Sequence, residues 1–289
     1  MANSVFLNRR KQTFEPLWVG LGIFAVLAVC VLALFLHYVP FDGPSYAAWS
    51  GIGVSFIGLV CLIKPLRFLG VRTRKRAALL WAAGVLLAAI GVSWPASLTQ
   101  ASGPPQRLDD FLSEYQFVEY HEARTDAPRA KVLEAVRQVS VADMPTATFL
   151  LRVRAVAGGD FSTPPPPDPR PILDVLDKPD SGFLALDVSN PAEIVYGMVG
   201  KPWVNEPPPK VTTPEQFLEF DEPGQIKVAF NIRVVDEGDG ISRISTETRI
   251  VGNDDEARRV FARYWRIIYP GSAIIRRVWL DAIVDRAGC

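Results

Sequence analysis

Residues 226–251, IKVAFNIRVVDEGDGISRISTETRIV, hold two runs of strand-forming residues around an acidic, glycine-rich centre. Branched and aromatic side chains suit a pleated surface, and glycines supply the left-handed backbone that a tight turn needs. The stretch therefore predicts a hairpin, Ile226–Val235 and Ile241–Val251, joined by Glu237-Gly238-Asp239-Gly240. In the second arm Ile241, Arg243, Ser245, Glu247 and Arg249 alternate with Ser242, Ile244, Thr246, Thr248 and Ile250, so the two faces differ in polarity.

Downstream, a long helix is expected from Asn253, with Glu256 as its capping partner. Val260, Phe261, Tyr264, Trp265 and Ile268 form one apolar stripe, which Ile274, Ile275, Val278, Trp279 and Ile283 continue. Pro270-Gly271 predicts a break between the two halves, because proline removes a hydrogen bond and crowds the preceding turn. Arg258, Arg259, Arg263, Arg266, Arg276 and Arg277 read as a solvated basic row paired with Asp254, Asp255 and Glu256, or as a surface for anionic headgroups.

Upstream, Phe117–Arg124 alternates as a strand with Phe117, Glu119, His121 and Ala123 on one face. Pro128 opens a helix, Arg129–Val139, and a second apolar helix covers Thr146–Val156. Residues 157–171 carry two glycines and six prolines and form a loop. Ile172–Leu176 leads to β-rich runs at Gly182–Val188 and Glu193–Val199, divided by the Asn190-Pro191 turn. Thr213-Pro214-Glu215-Gln216 is a capping box for a brief helix ending near Phe220. Helices and antiparallel strands in this order give an α+β fold.

The N-terminal third has a different character. Pro16–Val39, Tyr46–Ile63 and Ala77–Trp94 contain no charged residue, and each reaches the roughly 18–20 residues that a helix needs to cross a bilayer. Three transmembrane helices are expected. The bases Arg9, Arg10 and Lys11 precede the first span, and Lys64, Arg67, Arg72, Arg74, Lys75 and Arg76 fall between the second and third. Such loops resist translocation, which predicts a cytoplasmic N-terminus and an extracytoplasmic C-terminal part in the plasma (inner) membrane. Trp18, Tyr38, Tyr46, Trp49, Trp81 and Trp94 near the span ends, with His37, suit the headgroup layer. A cleaved signal peptide fits the first span less well, since its apolar run exceeds the usual h-region and no small-residue cleavage site follows cleanly. The expected organisation is an anchor over 1–95, a linker over 96–110 and one domain over 111–289.

Charge is divided as well. Residues 1–95 carry nine bases and two acids, whereas 96–289 carry 22 bases and 29 acids, so the outer part offers no basic footprint for nucleic acid. Cys30 and Cys61 fall in spans and Cys289 ends the sequence, leaving no intradomain disulfide. His37 and His121 are the only histidines, and no metal-ligand spacing occurs. No cofactor is expected.

The stretches FVEYHEARTDAPRAKVLEAVR (117–137), GFLALDVSNPAEIVYGMVGKPW (182–203), FDEPGQIKVAFNIRV (220–234), STETRI (245–250) and ARRVFARYWRIIYPGSAIIRR (257–277) resemble the START-like superfamily of polyketide cyclases and lipid-transport proteins, in a membrane-anchored bacterial branch. The resemblance covers the outer domain and none of the spans. It implies a helix-grip fold, a curved antiparallel sheet around the long C-terminal helix, and an apolar cavity between the two. The implied lining is Tyr196, Met198, Trp203, Phe230, Ile232, Phe261, Tyr264, Trp265 and Ile268, residues that would otherwise simply fill a core. Glu119 and His121 share a strand face, with Glu247 placed to meet them from the hairpin. They would orient a ligand headgroup, or else Glu119 and His121 would sit at a solvated strand end while Glu247 pairs with Arg249 or Arg243. No nucleophile, metal set or carboxylate pair marks a catalytic residue. The expected function is non-enzymatic binding of a membrane lipid or other apolar small molecule. A protein partner in the cell envelope is the alternative, and a cyclase- or hydrolase-type enzyme the third.

Overall fold

The computed structural model describes residues 42–159, 162, 168–204 and 206–288. The expected first span, the N-terminal bases, His37, Cys30 and Cys289 lie outside these residues. The chain divides between Gly91 and Val92 into two compact units.

The first unit contains the other two expected spans, and both are apolar helices long enough to cross a membrane. The first, α1 (Gly43–Ile63), starts where the Asp42 carboxylate accepts from Ser45 N at 2.8 Å. The second, α2 (Arg74–Ser93), carries Arg74, Lys75 and Arg76 in its opening turn, and its last two residues, Val92 and Ser93, fall in the second unit. A seven-residue spacing of glycines, Gly51 and Gly58 on α1 and Gly84 and Gly91 on α2, lets the backbones touch. A Cβ at Gly51 would meet Ala88 and Gly84, and one at Gly84 would meet Ser55 and Gly51. Close backbone approach of this kind brings the two helices into direct van der Waals contact.

The second unit is α+β. Short strands β1 (Thr99–Gln100) and β2 (Glu114–Tyr115) pair with each other. Strands β3 (Phe117–Thr125), β4 (Leu184–Asp187), β5 (Glu193–Gly200), β6 (Ile226–Gly238) and β7 (Ile241–Gly252) form a curved antiparallel sheet in the order β3-β7-β6-β5-β4. Helices α3 (Arg129–Gln138), α4 (Pro145–Ala157), α5 (Ile172–Leu176) and α6 (Pro214–Glu219) fall between strands, and α7 (Asp255–Gly288) ends the unit. The hairpin turn is tighter than the four residues expected. Asp239 and Gly240 have φ of 52° and 79°, the pair of positive values that a two-residue turn matched to strand twist requires.

Helix α7 runs unbroken for 34 residues with Pro270 inside it, which corrects the expected break. One missing hydrogen bond does not end a helix held on both sides of the proline, here by buried Trp265 and Tyr269 before it and Ala273, Trp279, Leu280 and Ile283 after it. Its cap is Asp254 rather than Asn253: the Asp254 carboxylate accepts from Ala257 N and Gly224 N, both at 2.7 Å, while Asn253 donates to Glu222 O.

Both faces of the sheet carry a packed cluster, while the outer side of β3 stays open, with Val118 and Tyr120 exposed. On one, α3 and α7 pack their Val132, Val136, Trp279, Leu280 and Ile283 onto Ile194, Tyr196, Phe230, Ile232 and Ile244. On the other, Leu108, Leu112, Phe217 and Phe220 pack onto Leu186, Val195, Val199 and Ala229. Residues 99–110, within the stretch read as linker, are thus folded: they supply β1, a 3-10 turn at Arg107–Asp110, and Leu108, which has no exposed surface.

Candidate functional site

Strand alternation puts the polar residues of the sheet into two separate systems. Cross-strand partners point to the same side. One row runs Glu119, Thr248, Phe230, Tyr196, and the next runs His121, Thr246, Ile232, Ile194. Both rows face α7. Glu247 is opposite Tyr120 and belongs to the outer face, so it does not meet Glu119 and His121 as expected.

Facing α7, Glu119 and His121 are buried at 2% and 4% exposure, not at a solvated strand end. Glu119 is doubly held: His121 Nε2 lies 2.9 Å from Oε1, and Ser272 Oγ donates to Oε2 at 2.7 Å. The carboxylate therefore stands between hydroxyl and imidazole, which leaves His121 unplaced to take the Ser272 proton. Activation of a serine nucleophile needs the opposite order. Next to this group the Arg276 guanidinium lies 4.4 Å from the Phe230 ring centroid and 5.6 Å from that of Trp279. Burial lowers the Arg276 pKa, and the Glu119 charge opposes that shift.

Three more polar groups reach this face without a hydrogen-bond partner among the described residues: the Thr246 and Thr248 hydroxyls and the Trp279 indole N–H. All three residues are at most 5% exposed. Tyr196, by contrast, donates to Asp177 at 2.9 Å, and burial together with that carboxylate raises its pKa.

The remaining implied lining residues divide by position. Tyr196, Phe230 and Ile232 are buried with Trp279 in the centre. Phe261 and Trp265 are buried near the start of α7, where they stack at 5.6 Å and meet Phe117, and half-buried Trp203 and Tyr264 extend this aromatic group. Met198 and Ile268 are half-buried. Most of the implied lining is thus packed side chain against side chain. The basic row also separates: Arg258 pairs with Asp255 at 3.2 Å, but Arg266 is 1% exposed and donates to Val92 O and Trp94 O within the second unit.

The outer face carries a satisfied network that sequence reasoning missed. Arg249, 2% exposed, donates to Glu247 Oε1 and Asp109 Oδ1 at 2.7 Å each and to Leu112 O at 2.9 Å, with its guanidinium over Tyr115. Burial alone would lower its pKa, but the two carboxylates outweigh that and raise it. Gln106 donates to Glu247, and Asn231 bonds both Gln106 and Glu193. With every member partnered, this network pins residues 106–112 to the sheet and offers no group to a ligand. Its one sequence signal was the run of polar outer-face positions Asn231, Glu247 and Arg249, which an exposed face would show equally.

No three His, Cys, Asp or Glu residues converge as metal ligands among the described residues. Comparison with known proteins finds no matching family model, no similar curated protein and no similar solved structure.

Proposed function

We propose that the chain is an integral protein of the plasma membrane whose second unit, on the extracytoplasmic side, binds a lipid or other apolar small molecule between its sheet and α7 without transforming it. The observation that carries this reading is the unfilled hydrogen-bonding capacity of Thr246, Thr248 and Trp279 between the sheet and α7. A buried polar group without a partner costs about 1–3 kcal/mol, and a bound molecule recovers that cost. Ser272, which bonds the neighbouring Glu119, is half-buried and keeps accessible surface. The START-like resemblance agrees in locating a ligand there. Six bases between the two described spans and none between Pro40 and Ser45 support the orientation. Native mass spectrometry of the full chain released from detergent is expected to show a co-purified apolar adduct, or uptake of added lipid. A chain that emerges empty and takes up nothing sinks the reading.

A second reading is a partner platform with a filled core. Its support is an exposed apolar stripe on α4, Phe149, Val153 and Val156, at 65%, 49% and 37% exposure. These positions lie on one helical face. Cross-linking in intact membranes that is lost on Phe149→Ser with Val153→Ser, and unaltered when the interior is changed, would favour it.

A further inference from the structure

Resting on the ligand reading above, we infer that the interior site recognises a carboxylate, so that the ligand is a long-chain acid with its headgroup held by Arg276, Thr246, Thr248 and Trp279. The free valences facing the site are mostly donors. The indole N–H can only donate, a guanidinium only donates, and each threonine hydroxyl can turn its proton inward. A protonated amine could donate only to the threonine oxygens, would leave the indole N–H and the guanidinium unmet and would be repelled by the Arg276 charge, and an alcohol would meet few of the donors. A carboxylate matches the planar fork of the guanidinium with two parallel hydrogen bonds and has lone pairs left for the hydroxyls.

Arg276 is the group that distinguishes this site from a merely polar core. Its described contacts are the faces of Phe230 and Trp279, and the charge of Glu119 lies nearby. Glu119 itself is occupied by His121 and Ser272. The contrast with Arg249 on the other face is direct, because that buried arginine has two carboxylates and a carbonyl in hand. Arg276 also keeps some accessible surface, and burial pulls its pKa down. The position of Thr248 between Glu119 and Phe230 places its hydroxyl one cross-strand step from the ring that Arg276 covers. The Phe230 and Trp279 rings under the guanidinium and the apolar stripe of α7 are surfaces that suit an acyl chain.

The test compares decanoic acid with 1-decanol and decylamine, binding each to the full chain in neutral maltoside micelles with free concentrations corrected for micelle partition. Decanoate is expected to bind about tenfold or more tightly than decanol, with decylamine weakest. Arg276→Met should bring acid and alcohol to within about twofold of each other. Thr248→Val, a change of hydroxyl for methyl at equal size, should weaken decanoate about threefold and leave decanol alone. Equal binding of acid and alcohol by the native chain overturns the carboxylate assignment while the ligand reading survives, and the native comparison holds even if Arg276→Met fails to fold. Retention of the preference in a folded Arg276→Met chain, checked by circular dichroism, also overturns the assignment. If none of the three binds, both readings fall together.

Discussion

Arg249 and Arg243 lie on the same strand face and look alike in the sequence, yet their surroundings set very different roles. Arg243 is partly exposed and pairs with Glu237 and Glu122 in solvent, where an ion pair contributes less than about 1 kcal/mol. Arg249 is buried, and its loss leaves the Glu247 and Asp109 carboxylates without their cation. Arg249→Met should lower the unfolding free energy by about 3–5 kcal/mol, against less than about 1 for Arg243→Ala, as read from denaturant titrations of the detergent-solubilised chain. Equal effects would show that the network does not hold the fold. The sequence carried the alternation of β7 but not this asymmetry, because burial of its outer face depends on residues 106–112, more than 130 positions away. The same limit applied to His121 and Glu119. Their shared face was legible from Phe117–Arg124, while the helix that covers it, and the Ser272 hydroxyl it brings, was not.

Elements were read better at their centres than at their ends. The hairpin, α3 and α6 lie where apolar period and capping residues placed them, since these signals are local. Helix α7 shows what local signals miss: Pro270-Gly271 marks a weak point, and only packing decides whether a helix crosses it. Its cap makes a pH prediction. Backbone N–H groups of Ala257 and Gly224 hold the Asp254 carboxyl below its ordinary 3.8. A depressed folded pKa means that the stabilisation is complete above the unfolded value and fades as pH falls through the folded one. Asp254→Ala should therefore lower the melting temperature near neutral pH and flatten the loss of stability between about pH 5 and pH 2. A variant with an unchanged acid limb would count against that linkage. In the first unit, Gly84→Leu forces a side chain into the backbone of α1 and should cost about 1–3 kcal/mol in mixed-micelle unfolding. No change there would mean that the helices do not pack through their glycines.

The arrangement of the chain across a membrane is testable in vesicles. In a chain whose three cysteines are replaced by serine, Lys131→Cys should react with an impermeant maleimide on right-side-out vesicles, and Arg72→Cys only on inverted ones. The reverse pattern would refute the orientation. For the molecule as a whole, composition separated the apolar third from the folded remainder, because hydrophobic run length is a property of consecutive residues. Which side chains enclose an interior is a property of distant ones, and there the sequence offered only a resemblance. The sheet order β3-β7-β6-β5-β4 has a consequence for how the unit comes into being. Its first long strand, Phe117–Thr125, bonds only to β7, whose residues follow more than a hundred positions later. Until β7 has emerged β3 has no strand neighbour, and until α7 follows, Tyr196, Phe230 and Ile232 have only part of their cover, from α3. Closure of so long a loop comes before the contacts that reward it, which makes folding slow and keeps apolar surface open meanwhile. The unit is thus committed to completing itself late and all at once, and a chain halted before α7 should present a chaperone substrate rather than a smaller domain.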